Sequence, residues 1–327
     1  MKLSAALVLL ALASPSAAIG QTPPPGAAPQ EAAPTAVEDV VVEGVRRTRE
    51  TSFAFVRAVS APPFGSYTMA VWTGPLCLSI DNLPAEQAAA LTDRILGRVE
   101  YIGVTVGDAN CTPNVRVIFT ADGAATARDL VAHNRRDLRP TSAATQLGRA
   151  GLTRFAESER PVRWWTVNMP VDGETNSRVV ALAGDIGDNR GQAVQMGIRN
   201  PLKISTGGPP WRLILGIQPV GNGIRDSLLQ TIVIVDARLA AGVSYASLGD
   251  YIAMVALTQV DPEADVSTAP TILNLFTDSP RVTELSQWDV DYLKALYDAP
   301  VRFNHIRFQE EDIARRMVQA AAPAANP

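Results

Sequence analysis

The side chains best placed for chemistry gather after the apolar run Leu248–Val260, where Gln259, Asp261, Glu263 and Asp265 put polar groups around its end. Asn274, Asp289 and Asp291 follow and can return to the same place. Asp261–Ser267 even alternates oxygens like the start of a calcium loop. Val266 and Ile272 stand at its sixth and twelfth positions, where a glycine and an acidic ligand are required, so a solvated acidic loop is expected. The chain has only two histidines, His133 and His305. Either is a candidate for acid–base work, but neither belongs to a recognisable constellation. There is no His-Glu-x-x-His, nucleophile elbow, Walker loop or Asp-Thr-Gly, so no cofactor or metal is called for.

Cys77 and Cys111 are the only cysteines. They lack the Cys-x-x-Cys spacing of redox sites and a neighbouring histidine for zinc. In an oxidising compartment an isolated pair of this kind is most simply one disulfide. The compartment is suggested by the start of the chain. Met1-Lys2 leads into the apolar Leu3–Ala13 and then small residues, with Ser16-Ala17-Ala18 a cleavage zone. The run is shorter than the roughly 20 residues needed to span a bilayer. Residues 1–20 are thus expected to be a signal peptide and the mature protein periplasmic or secreted, with no transmembrane segment.

A net charge of −4 and 6% aromatic residues argue against nucleic acid as a partner. Apolar content of 46% with 19% charged residues is that of an ordinary globular protein. Residues 21–50 form a Pro/Ala-rich linker. Within it, Val37–Arg47 resembles the TonB box of outer-membrane receptors, which implies strand addition to a partner in the envelope, although no receptor barrel follows.

Residues 51–312 are expected to be one globular domain, before a helical end and tail at 313–327. Tyr67–Ile80 reads as one or two strands broken at Gly74-Pro75. Ala88, Leu91, Ile95, Val99 and Ile102 recur at helical spacing after Pro84 and before Gly103. Val115–Thr120 reads as a strand and Ala124–His133 as a helix. The middle is strand-rich: Arg163–Met169, Arg178–Ala183, Leu202–Ile204, Trp211–Ile217 and Leu229–Val235. Arg160–Trp165 offers a guanidinium–indole stack or a binding face, or plain packing beneath a surface charge. Gly184–Gly191 is a polar loop without the strand-then-helix setting of a dinucleotide site. Leu248–Val260 is apolar all round, as for a helix buried under a sheet. Gln287–Tyr297 and Glu310–Ala321 are the last helices. The fold class is α+β, a twisted mixed sheet with packed helices.

The segment Leu285-Ser286-Gln287-Trp288-Asp289, running on to Leu296-Tyr297, resembles the last helix of a matrixin-type metzincin protease. That likeness spans Leu248–Asp298 and implies a metzincin-like topology in the C-terminal half. It sets Val255, Gln259 and Asp265 where the zinc-binding histidines would stand, Ala256 in place of the general base, Pro262 in place of the glycine, and Leu273 in place of the methionine beneath the metal. Leu257-Thr258-Gln259 is similar to a secreted bacterial family of unknown function with a comparably degenerate core. The resemblance implies a pseudoenzyme that reuses a substrate cleft to bind a peptide, a protein strand or a small ligand, through Gln259, Asp261, Asp265 and Asn274. Two alternatives stand beside it: a hydrolase with an Asp/Glu/His site, and an accessory partner of a TonB-type machine engaged through residues 37–47.

Overall fold

The computed structural model describes residues 47–61, 68–135, 137–139, 147–176, 224–277, 282–300 and 306–322. Among them run helix α1 (Arg49–Val59), strand β1 (Leu78–Asp81), helix α2 (Ala85–Ile102), strand β2 (Val115–Thr120) and helices α3 (Gly123–Asn134) and α4 (Gly148–Glu157). Strands β3 (Val162–Asp172) and β4 (Ile224–Asp236) follow, then α5 (Tyr245–Leu257), a 3₁₀ turn (Ile272–Asn274), α6 (Gln287–Tyr297) and α7 (Ile306–Ala321). The fold is α+β, around a four-stranded mixed sheet in the order β1-β2-β4-β3. β1 and β2 pair in parallel, as do β2 and β4, while β3 returns antiparallel along β4 from Val162 beside Val235 to Asp172 beside Ile224.

Local chemistry explains the element ends. Pro84 stands as the N-cap of α2, and Gly103 closes that helix with φ of 95°, a left-handed conformation that costs glycine little. Asp122, Ser244 and Ser286 cap α3, α5 and α6 by accepting from backbone N–H groups. The period-two pattern of β2 buries Val115, Val117 and Phe119. α5 is buried from Ser247 to Leu257, its apolar run Tyr251–Leu257 in the core and Asp250 buried with it against two arginines of α2. It lies with α2 on one face of the sheet, while α3 and α4 cover the other.

β3 is buried along Val162–Val171 because both its faces are covered. Trp164 packs into the core shared with α5, and the next residue, Trp165, packs against Leu152 and Phe155 of α4. The alternation of a strand thus separates the two neighbouring indoles, and no guanidinium–indole stack joins Arg160 to either among the described residues. α4 was not anticipated: its short run Gly148–Glu157 holds two glycines and only a brief apolar face.

The Cys77 and Cys111 sulphurs lie at bonding distance, with Cα atoms 6.0 Å apart. The bridge ties the segment entering β1 to the loop before β2. Gly107 passes so close that a Cβ there would strike both sulphurs. No helix among the described residues is long and apolar enough to cross a membrane. The expected strands Arg178–Ala183, Leu202–Ile204 and Trp211–Ile217, the loop Gly184–Gly191, the leader, and Val37–Arg46 lie outside the described residues.

Candidate functional site: a cleft at the exit of the buried helix

The end of α5 is held by side chains from distant elements. Trp72 Nε1 donates to the Ala256 carbonyl at 2.8 Å, and the Tyr297 hydroxyl donates to that of Leu257 at 2.6 Å. These bonds satisfy carbonyls that a helix C-terminus leaves without partners. The chain then turns extended at Thr258, and Asp261 N donates to the Val59 carbonyl at 2.9 Å. Trp164 Nε1 reaches the Val260 carbonyl at 3.0 Å, and Asn168 Nδ2 reaches Gln259 Oε1 at 2.6 Å. The exit is therefore fixed against both β3 and α1.

The loop beyond it is organised from within. Asp261 Oδ1 accepts from Glu263 N, and Asp265 Oδ1 accepts from Ser267 N and Oγ. The bond from the Ser267 hydroxyl, followed by that from its backbone N–H, holds the Asp265 carboxyl below its usual range. Asn274 Nδ2 donates to the Val266 and Ala269 carbonyls at 3.1 and 2.8 Å, tying the 3₁₀ turn to the loop.

Asp289 then joins the turn to α6. Its carboxylate accepts from the Thr271 hydroxyl, Ile272 N, Ser286 N and Ser286 Oγ. Complete burial pushes its pKa up, and these bonds work in the opposite direction. Beside it Asp291 is paired with Arg47, whose guanidinium lies 4.9 Å from the centre of the Trp288 ring.

The helix exit, the loop after it, the 3₁₀ turn and the start of β3 enclose a cleft of about 370 Å³. One wall is aromatic: the Tyr251 ring meets Trp164 edge-on at 6.0 Å and Phe276 at 5.2 Å. The rim carries Glu159, Asp261 and Asp265. Arg160, also on the rim, is paired with Glu263 and donates to the Pro262 carbonyl. Burial pushes the Tyr251 hydroxyl pKa well up, against a small opposing effect of Arg160, so the hydroxyl stays protonated at neutral pH.

A larger hollow of about 530 Å³ lies outside the carboxyl ends of β1, β2 and β4. Its lining is mostly small and apolar, with Tyr245 the only titratable side chain, so it offers far less chemistry.

Of the four side chains named from the sequence, Asp261, Asp265 and Asn274 line the cleft together. Gln259 is buried beside it, engaged by Asn168. Sequence reasoning offered Arg160–Trp165 as a binding face, and Arg160 and Trp164 line the cleft, but it did not join them to Tyr251 and Phe276, which come from α5 and the segment after the 3₁₀ turn.

The three positions that the metzincin resemblance sets opposite zinc-binding histidines do not come together as a ligand set. Val255 is fully buried in the core, Gln259 is already hydrogen-bonded, and Asp265 is an exposed loop cap. No group of three or more His, Cys, Asp or Glu side chains converges as a metal site among the described residues. His133 is on the surface of α3, its Nδ1 against the Asp129 carbonyl, and His305 lies outside the described residues. The chain matches no protein-family model, no curated protein and no solved structure.

Proposed function

We propose that this is an exported, non-catalytic binding protein of the cell envelope, with a protease-like scaffold whose cleft holds a small ligand or a short peptide segment. The observation that carries the reading is the cleft itself. It is built at the end of a helix fixed by side chains from several elements, and it combines a rigid aromatic wall with a polar rim. Ligand sites are typically concave, mostly apolar, and carry a few placed polar groups, with volumes of roughly 300 Å³ upward. Export is supported by the apolar leader and by a cysteine pair at bonding distance.

Support for the metzincin likeness is limited to element order. Val255 and Ala256 fall on the buried α5, Gln259, Pro262 and Asp265 on the loop after it, Leu273 in the 3₁₀ turn, and Leu285–Tyr297 on the capped α6 and its entry. Strand addition along β3 is the weaker mode of binding, because that strand is buried along Val162–Val171.

The test is a selection of displayed random peptides and a small-molecule thermal-shift screen on the full-length protein. The Ala264→Trp variant, which places an indole in the cleft, serves as counter-screen. Binders that lose affinity for this variant support the reading. Binders indifferent to it, or hydrolysis of them that is lost in His133→Ala, would replace the reading with another site or with the hydrolase alternative.

A further inference from the structure

Resting on that binding reading, we propose that the ligand is an organic ammonium ion: a protonated amine on an aromatic or aliphatic body. Three features of the cleft point the same way. The first is charge. Glu159, Asp261 and Asp265 face the cleft, while its one cation, Arg160, is already committed to Glu263 and to the Pro262 carbonyl. A surface concavity with this imbalance concentrates cations and repels anions. An incoming carboxylate would have to displace Glu263 from Arg160 while facing three like charges.

The second feature is the wall. Tyr251 is held between Trp164 and Phe276, so the rings form a fixed apolar surface rich in π electrons. Such a surface suits both an aromatic body and an ammonium head. The Trp164 indole N–H is engaged by Val260, which leaves that ring no free donor for an anion.

The third is the Tyr251 hydroxyl. The residue is only 6% exposed, lines the cleft, and makes no side-chain hydrogen bond to any described residue. Its oxygen opens onto the cleft rather than being sealed in the core, so it is available to a ligand there. An ammonium group suits it, because it donates to the hydroxyl oxygen while the carboxylates balance its charge. The cleft volume of about 370 Å³ is of the size that holds a ring and a short alkyl arm.

The experiment compares three probes of one shape on the full-length protein by calorimetry: 2-phenylethylammonium, 2-phenylethanol and phenylacetate. The ammonium is expected to bind at least tenfold more tightly than phenylacetate. That preference should fall by about tenfold in Asp261→Asn/Asp265→Asn, whose amide oxygens preserve the bonds from Glu263 and Ser267. Ala264→Trp should abolish binding while circular dichroism shows the fold intact.

Phenylacetate binding as tightly as the ammonium would overturn the cationic class and leave the cleft reading in place. Ammonium binding unchanged in both variants would assign it to another surface and overturn the proposal. No binding by any probe would also overturn it, and the peptide selection then decides the cleft reading separately.

Discussion

Replacing Asp250 with alanine should destabilise the protein by roughly 2–4 kcal/mol, although the residue touches no ligand site. Its carboxylate is fully buried in α5 and accepts five hydrogen bonds: two each from Arg94 and Arg98, at 2.6–2.9 Å, and one from Leu285 N at 2.7 Å. The arginines stand one turn apart on α2, so both forks converge on one anion. Breaking a buried ion pair costs about 3–5 kcal/mol when the partner is left dry. Here the arginine side chains are 33% and 22% exposed and regain water, which lowers the figure, while the Leu285 N–H is left without its acceptor.

The assay is urea unfolding with the disulfide intact, followed by tryptophan fluorescence, with Glu284→Gln as control. Glu284 is exposed and no nearer than 3.9 Å to either arginine, so its variant should change stability by less than about 0.5 kcal/mol. Burial alone would raise the Asp250 pKa, but the bonds from Arg98, Arg94 and Leu285 N bring it below the ordinary 3.8. A depressed carboxyl pKa contributes stability that is complete above the unfolded value and is lost as pH falls through the folded one. The gap between parent and Asp250→Ala should therefore be constant near neutrality and shrink below about pH 4. A gap under 0.5 kcal/mol at pH 7, or one that widens on acidification, would refute this account of how α2, α5 and the entry to α6 are joined.

Asp289→Ala should cost about 2–4 kcal/mol, since it deprives Thr271, Ile272 and Ser286 of their shared acceptor; hydrogen exchange at Ile272 and Leu273 should rise with it. A variant with unchanged exchange there would mean that the turn holds itself. Reducing the Cys77–Cys111 bridge, whose partners are 34 residues apart, should cost about 4 kcal/mol on the chain-entropy model. Gly107→Ala should lower the melting temperature in the oxidised protein and much less in the reduced one, because the new methyl group strikes the sulphurs.

The elements legible in the sequence were those whose instructions are local. The spacing of Leu91, Ile95, Val99 and Ile102 marks one face of α2, and all four are buried. Ser286 and Asp289 form a reciprocal capping box at the start of α6, three residues apart in the chain. The alternation of β2 and the apolar run Tyr251–Leu257 of α5 likewise carry their own environment. α4 and the full length of β3 were harder to see, because a brief apolar face, or a run buried on both sides, has no clean period.

What the chain alone determined, then, was periodicity, caps and the pairing of two cysteines, all set by neighbours or by elimination. Tertiary structure decided where the charges and rings meet. Arg160 finds Glu263 across 103 residues, and Asp250 finds two arginines across 156 and 152; Trp164 likewise meets Tyr251 from a distant element, and no local pattern encodes those meetings. The strand that separates Trp164 from Trp165, and the helix exit that brings Asp261 and Asp265 beside that first indole, turn scattered side chains into a cleft. The physical reason is that burial and electrostatics act between surfaces, and those surfaces exist only once the sheet and α5 have packed together.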